Sequence, residues 1–175
     1  MSEGRDAKLI KVRLHNQGED VETPWAEDLG HAPGTVGGRL VKLKNVPFYF
    51  AKPTIDDVIV ARPDSDGVLA WDAEGRDYDS IVDSLVEDSG RWALIIDYSV
   101  RDPEVDVTTA FRMFEAAGES ADIVVEGLRG PRPGQPGRAY LAAPAALSVA
   151  DVLEHLRRAE LPLTLVLEHP IDEDA

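Results

Sequence analysis

The stretch WALIIDYSVRDPEVDVTTAFRMFEAAGESADIVVEGL, residues 92–128, decides the fold class. Trp92 to Val100 reads as a strong strand. Asp106 to Ala117 then changes period, with Val107, Phe111 and Phe114 at helical spacing and Gly118 as a stop. Ala121 to Leu128 returns to strand character. A Gly- and Pro-rich loop, Arg129 to Gly137, leads into Ala139–Ala142. Ser148 to Arg158 reads as a second helix, with Ser148 as N-cap and Asp151 three residues on. Leu161 to Glu168 closes the series as a strand. The order βαβ-βαβ predicts a ferredoxin-like lobe over 92–170, an antiparallel sheet with both helices on one face. Phe111, Phe114, Val152, Leu153 and Leu156 are the positions expected against that sheet.

Upstream, glycine and proline punctuate short strands. Leu9 to Leu14 alternates with period two, and residues 16–20 form a turn. Glu22 to Leu29 reads as a strand whose aromatic anchor, Trp25, is expected to be buried against a Phe48–Phe50 strand. Gly30–Gly34 and Gly37–Gly38 bound a loop, and Arg39 to Leu43 returns as a strand. Asp57–Ala61 and Val68–Trp71 pair across Pro63-Asp-Ser-Asp-Gly67, where glycine tolerates positive φ. Five or six such strands predict a small β-barrel or a strongly bent antiparallel sheet over 1–75. Residues 76–91 are read as a connector, with a short helix over 77–86 as one option and a hairpin into Trp92 as the other. The fold class expected is therefore α+β, in two lobes that could share one core.

Length and composition bound the function. At 175 residues with 43% hydrophobic and 29% charged side chains, the chain is a folded domain or two small ones. Its apolar runs fall short of the roughly 18 to 20 residues a membrane helix needs. Met1 to Asp6 has no apolar signal core, so a cytoplasmic location is expected. There is no cysteine, which excludes disulfides, thiolate nucleophiles and Cys-type zinc sites. A net charge of −15 disfavours nucleic acid and anionic membranes and favours a basic protein partner.

No catalytic set is evident. His15, His31, His155 and His169 are scattered without metal-ligand spacing. Asp56-Asp57 and Asp64/Asp66 are carboxylate pairs, but both read as solvated turn residues, unlike the buried pairs of acid–base catalysis. Asp64-Ser-Asp-Gly67 lacks the remaining ligands of a calcium loop. Gly34-Thr-Val-Gly-Gly38 lacks the lysine of a P-loop, and no Gly-x-Ser-x-Gly elbow occurs. Neither metal nor cofactor is expected. The leading candidate surface is the hairpin tip, Asp64, Ser65, Asp66, Gly67 and Val68. The second is the arginine-bearing loop, Arg129, Arg132, Gly134 and Arg138, which could clamp a phosphate or carboxylate.

Pro24-Trp-Ala-Glu27, Leu43-Lys-Asn-Val-Pro-Phe-Tyr-Phe50, Asp56-Asp-Val-Ile-Val-Ala61 and Glu87-Asp-Ser-Gly90 carry a resemblance. Over roughly residues 8 to 170 the chain resembles a family of small bacterial domains of unknown function with P-W-x-E, N-V-P-F and D-V-V motifs in this order. Where that family runs directly from the hairpin to the Ser-Gly turn, this chain carries extra residues near Arg76 to Val86. In size and acidity it also resembles the immunity factors of tuberculosis necrotizing toxin, actinobacterial antitoxins that block a secreted NAD⁺ glycohydrolase. That resemblance implies inhibition without catalysis, an edge or loop entering the toxin's NAD⁺ cleft. A glycine-tipped hairpin suits such a role: it brings no side chain into a narrow space, the flanking Asp64 and Asp66 can meet the basic residues that normally hold a pyrophosphate, and it loses little entropy on insertion. The alternative is a regulatory module binding a small molecule between the lobes. A hydrolase built on Asp56/Asp57 is the third reading.

Overall fold

The strand expected over residues 92–100 is β9 (Arg91–Val100) in the computed structural model, which describes residues 8–15, 21–50, 52–72 and 85–170. The chain divides into two units, Met1–Ser89 and Gly90–Ala175.

In the second unit, β9 is followed by α1 (Val107–Glu119), β10 (Val124–Arg129), β11 (Gly137–Pro144), α2 (Val149–Arg158) and β12 (Leu163–Pro170). The sheet order is β10-β11-β9-β12, and every neighbouring pair is antiparallel. Period two sends Leu94, Ile96 and Tyr98 of β9 and Ala139, Leu141 and Ala143 of β11 to one face. Both helices pack there, placing Ala110, Phe114, Val152 and Leu156 in the same core. Phe111 and Leu153 sit at its margin, half-buried. Burying a side chain such as Phe114 is worth about 1.5–3 kcal/mol. Ser148 accepts from the Asp151 amide while Asp151 accepts from the Ser148 amide, a complete capping box.

Gly118 does not stop α1; the helix runs through it to Glu119, with Ser120 as C-cap. A Cβ at Gly118 would fall 2.6 Å from Val125 Cγ2 and 2.7 Å from the Ile123 carbonyl oxygen. Glycine is there so that the helix can lie this close to the chain entering β10.

The first unit holds β1 (Leu9–Lys11), β2 (Arg13–His15), β3 (Val21–Glu22), β4 (Trp25–His31), β5 (Arg39–Leu43), β6 (Val58–Pro63), β7 (Leu69–Asp72) and β8 (Leu85–Glu87). They form a curled sheet, a half-barrel, in the order β1-β4-β5-β6-β7-β2-β3, with β8 also on β6. The strand expected over Leu9–Leu14 is thus two strands. Val12 separates them, and they occupy distant places in the sheet order. Only a sheet that curls back can satisfy that connection, and Val12 turns the corner fully buried, its amide donating to Pro24 O. The core is Val12, Leu14, Ala26, Val41, Leu43, Phe50, Ile59, Ala61 and Trp71.

Two further expectations are corrected here. Trp25 is not the anchor: Ala26 takes the inward position of β4, so Trp25 points outward and is 46% exposed. Trp71, 2% exposed, is the buried tryptophan, packed edge-on to Phe50 with ring centroids 5.7 Å apart. Phe48 and Tyr49 form bends and Phe50 follows them outside any strand. Of the possible 77–86 helix, residues 77–84 lie outside the described residues, and Leu85–Val86 belong to β8, which pairs with β6.

Candidate partner-binding surface

β6 and β7 meet at a closed four-residue turn. The Asp64 amide donates to Val68 O (2.8 Å) and the Gly67 amide to Asp64 O (2.9 Å). Asp64 Oδ1 accepts from the Asp66 and Val68 amides at 2.9 and 3.0 Å, so the side chain holds the loop from inside. Arg13, on β2, donates to Asp64 Oδ2 at 2.7 Å and Asp66 Oδ2 at 2.9 Å. Gly67 takes the left-handed conformation the turn requires (φ 75°), with open space where a side chain would be. Ser65, Asp66 and Gly67 are exposed, while Asp64 and Val68 are half-buried.

The two carboxylates are therefore not free charges. Desolvation alone would push the Asp64 carboxyl up. The amides of Val68 and Asp66 and the Arg13 guanidinium outweigh it, and the group lies below the usual carboxylate range. Hydrogen bonds to Asp66 and Asp64 correspondingly hold Arg13 more firmly protonated. Two carboxylates against one guanidinium leave the tip a single net negative charge.

Beside the hairpin lies a second loop, residues 32–38, closed by Ala32 N to Gly38 O at 3.0 Å and Gly38 N to Thr35 O at 3.2 Å. A Cβ on Gly37 would lie 3.6 Å from the Pro63 ring, so the loops are side by side. At the base of the second loop Asp28 accepts from the Gly30 amide and pairs with Arg39, which holds its carboxyl below the usual range. The loop presents Val36, 98% exposed. The sequence reading missed both Arg13 and Val36. The signal available was the spacing Gly34-x-x-Gly37-Gly38, which marks a tight loop but does not say what it displays.

The arginine loop, in the second unit, is an ordered hairpin. Arg132 and Gln135 exchange backbone hydrogen bonds at 2.9 Å around Pro133-Gly134, with Gly134 at φ 73°, the pattern of a type II turn. Arg138 is committed to a bidentate pair with Asp97 at 2.8 and 3.2 Å, which lowers the Asp97 carboxyl. Arg129, Arg132 and Gly134 are exposed. Shallow grooves of about 510 and 480 Å³ flank Val107. One lies between α1 and β10, bordered by Phe111, Leu128 and Arg129, and the other beside Pro131 and Pro133.

Asp57 is not a solvated turn residue. It is fully buried, accepting from Thr54 N and Ser89 N, each at 2.7 Å, with Lys52 Nζ at 3.5 Å. Asp56 stays half-exposed and pairs with Lys42 at 3.2 Å. Asp57 closes the 52–57 turn through Thr54 and Lys52 and ties it to residue 89 through the Ser89 amide. His155 Nε2 bonds Ala117 O at 2.7 Å, clasping the two helices. Among the described residues no group of His, Asp and Glu side chains could hold a metal ion, and no helix is long and apolar enough to cross a membrane. Compared with known proteins, the chain matches no family model, no curated protein sequence and no solved structure.

Proposed function

We propose that this chain is a protein-binding inhibitor of the immunity type, which occludes the active site of an NAD⁺ glycohydrolase toxin and performs no chemistry of its own. One observation supports it above others: two neighbouring loops, one pinned by Arg13 and Asp64 and the other closed by its own backbone hydrogen bonds, hold out a glycine with open space around it and an almost wholly exposed valine. A loop fixed by its own hydrogen bonds surrenders little conformational entropy when it enters a cleft. An exposed aliphatic side chain beside it supplies the apolar contact that a polar turn lacks. Because Arg13 occupies both carboxylates, the tip works by shape more than by mimicking a phosphate. The overall charge of −15 acts at longer range, speeding encounter with a basic partner. The second unit, with strand order β10-β11-β9-β12 and helices on one face, supports reading it as the split βαβ of ferredoxin-like folds.

Co-expression tests the reading. The parent chain should restore growth to cells making an actinobacterial NAD⁺ glycohydrolase toxin and co-purify with it. Val36→Asp, which places a charge where an apolar contact is expected, should lose rescue while keeping the parent's melting temperature. No rescue and no complex with the parent would refute the proposal.

A further inference from the structure

The outer face of the first sheet carries a second surface, opposite in character to the chain as a whole. Register places Lys11 of β1 across from Trp25 of β4, and Leu9 across from Glu27. Lys42 of β5 lies across from Glu27 on the next strand, and the Lys44 amide bonds the Trp25 carbonyl. Directly opposed residues share a face, so these side chains form one patch. Its apolar members stand open: Leu9 is 54% exposed and Trp25 46%. All five lysines of the chain fall between residues 8 and 52, and three of them, Lys11, Lys42 and Lys44, border this tryptophan.

Two of those three are answered within the chain, Lys44 by Glu27 at 2.9 Å and Lys42 by Asp56 at 3.2 Å. Lys11 is not. Its ammonium sits 4.2 Å from the centroid of the Trp25 ring and donates to Thr23 O at 3.1 Å, and among the described residues no carboxylate pairs with it. A cation held over an aromatic face is already oriented, so a carboxylate that reaches it gains a charge-assisted bond at small ordering cost. An exposed tryptophan beside an uncompensated cation combines the two residue characters that anchor protein interfaces, an aromatic knob and a fixed charge.

We propose that Trp25, Lys11 and Leu9 form a docking site for a protein segment that carries carboxylates flanking an apolar side chain. The apolar group would cover Trp25 and Leu9, and a carboxylate would meet Lys11. This site lies toward the Lys44 end of β5, whereas the paired loops lie toward its Arg39 end, so both surfaces could be occupied independently.

The test follows the Trp25 indole N–H signal by NMR, assigned with Trp25→Phe, as the whole chain is titrated with a synthetic Glu-Leu-Glu-Phe-Glu peptide. A second titration uses the same peptide with every Glu replaced by Gln, and a third uses phosphatidylglycerol vesicles. The acidic peptide should shift the Trp25 and Lys11 signals saturably. Lys11→Glu should weaken it by about tenfold, and Trp25→Ala should abolish the remaining Lys11 shifts while the melting temperature stays near the parent's. Equal response to the Gln peptide, shifts confined to other residues, or a response to vesicles in place of the peptide would each overturn the proposal.

Discussion

A tryptophan stabilises a sheet only when the strand's alternation turns it toward the core, and the two tryptophans of the first unit separate these cases. Trp71 is enclosed and stacked edge-on to Phe50, so Trp71→Ala should cost about 3–5 kcal/mol. Trp25 stands outside with Lys11 over its ring, so Trp25→Ala should cost no more than about 1 kcal/mol. Urea unfolding of both variants checks this; equal losses would contradict the assignment of faces. Asp57 makes the same point for a polar side chain. Asp57→Ala should cost about 1–3 kcal/mol for the buried Thr54 amide left unpaired, again read by urea unfolding, and a neutral substitution would show that this amide finds another acceptor. The sequence disclosed neither burial, because an aromatic in a short strand suits either face and a carboxylate beside a turn ordinarily faces water.

At the scale of elements, the helices and their strands were legible because apolar period, capping residues and turn residues agreed with one another. Ser148 with Asp151 named a helix start that the structure places one residue before α2. The first sheet was legible as strands and not as a path. The break at Val12 depends on the sheet curling back to receive β2 beside β7, a non-local requirement that no run of six residues carries. Gly118 was misread because glycine at a helix end has two meanings, a stop or a close approach. Its substitution distinguishes them. Alanine would gain about 1 kcal/mol of helix propensity, yet its Cβ meets a backbone oxygen that cannot yield, and overpacking of this kind costs about 1–3 kcal/mol. Gly118→Ala should therefore lower the melting temperature; an increase would mean that α1 can shift away from β10. The hairpin tip adds a pH dependence. The Asp64 carboxyl is depressed in the folded chain, so its contribution is complete above the ordinary Asp value of about 4 and is lost as pH falls through the folded value. Asp64→Asn should flatten the acid limb of the melting curve and leave its shape near neutrality unchanged, whereas an unaltered acid limb would show that the Val68 and Asp66 amides and Arg13 together do not select the ionised form.

For the whole molecule, the proposed inhibitory role rests on surface charge and surface shape. The chain carries −15 and displays a rigid pair of loops at one end of the first sheet, while its candidate carboxylates are spent on Arg13, Lys42 and buried amides. Of the proposed tip, the glycine and its turn were readable from Pro63-Asp-Ser-Asp-Gly67. The neighbouring Val36 loop was not, because only the folded sheet brings residue 37 beside residue 63. Reversing Asp64 and Asp66 to Lys would be a poor probe of binding, since it also destroys the Arg13 contacts that shape the loop. Gly67 makes a cleaner one: the space around it is open, so a large side chain leaves the fold with only the strain of a left-handed residue, about 1 kcal/mol. The direct measurement is NAD⁺ hydrolysis by an actinobacterial NAD⁺ glycohydrolase toxin with the parent chain or Gly67→Trp added at equal concentration, alongside thermal melts. The account predicts inhibition by the parent and its loss in Gly67→Trp with nearly unchanged melting. Hydrolysis unaffected by the parent, or inhibited equally by both proteins, would contradict it.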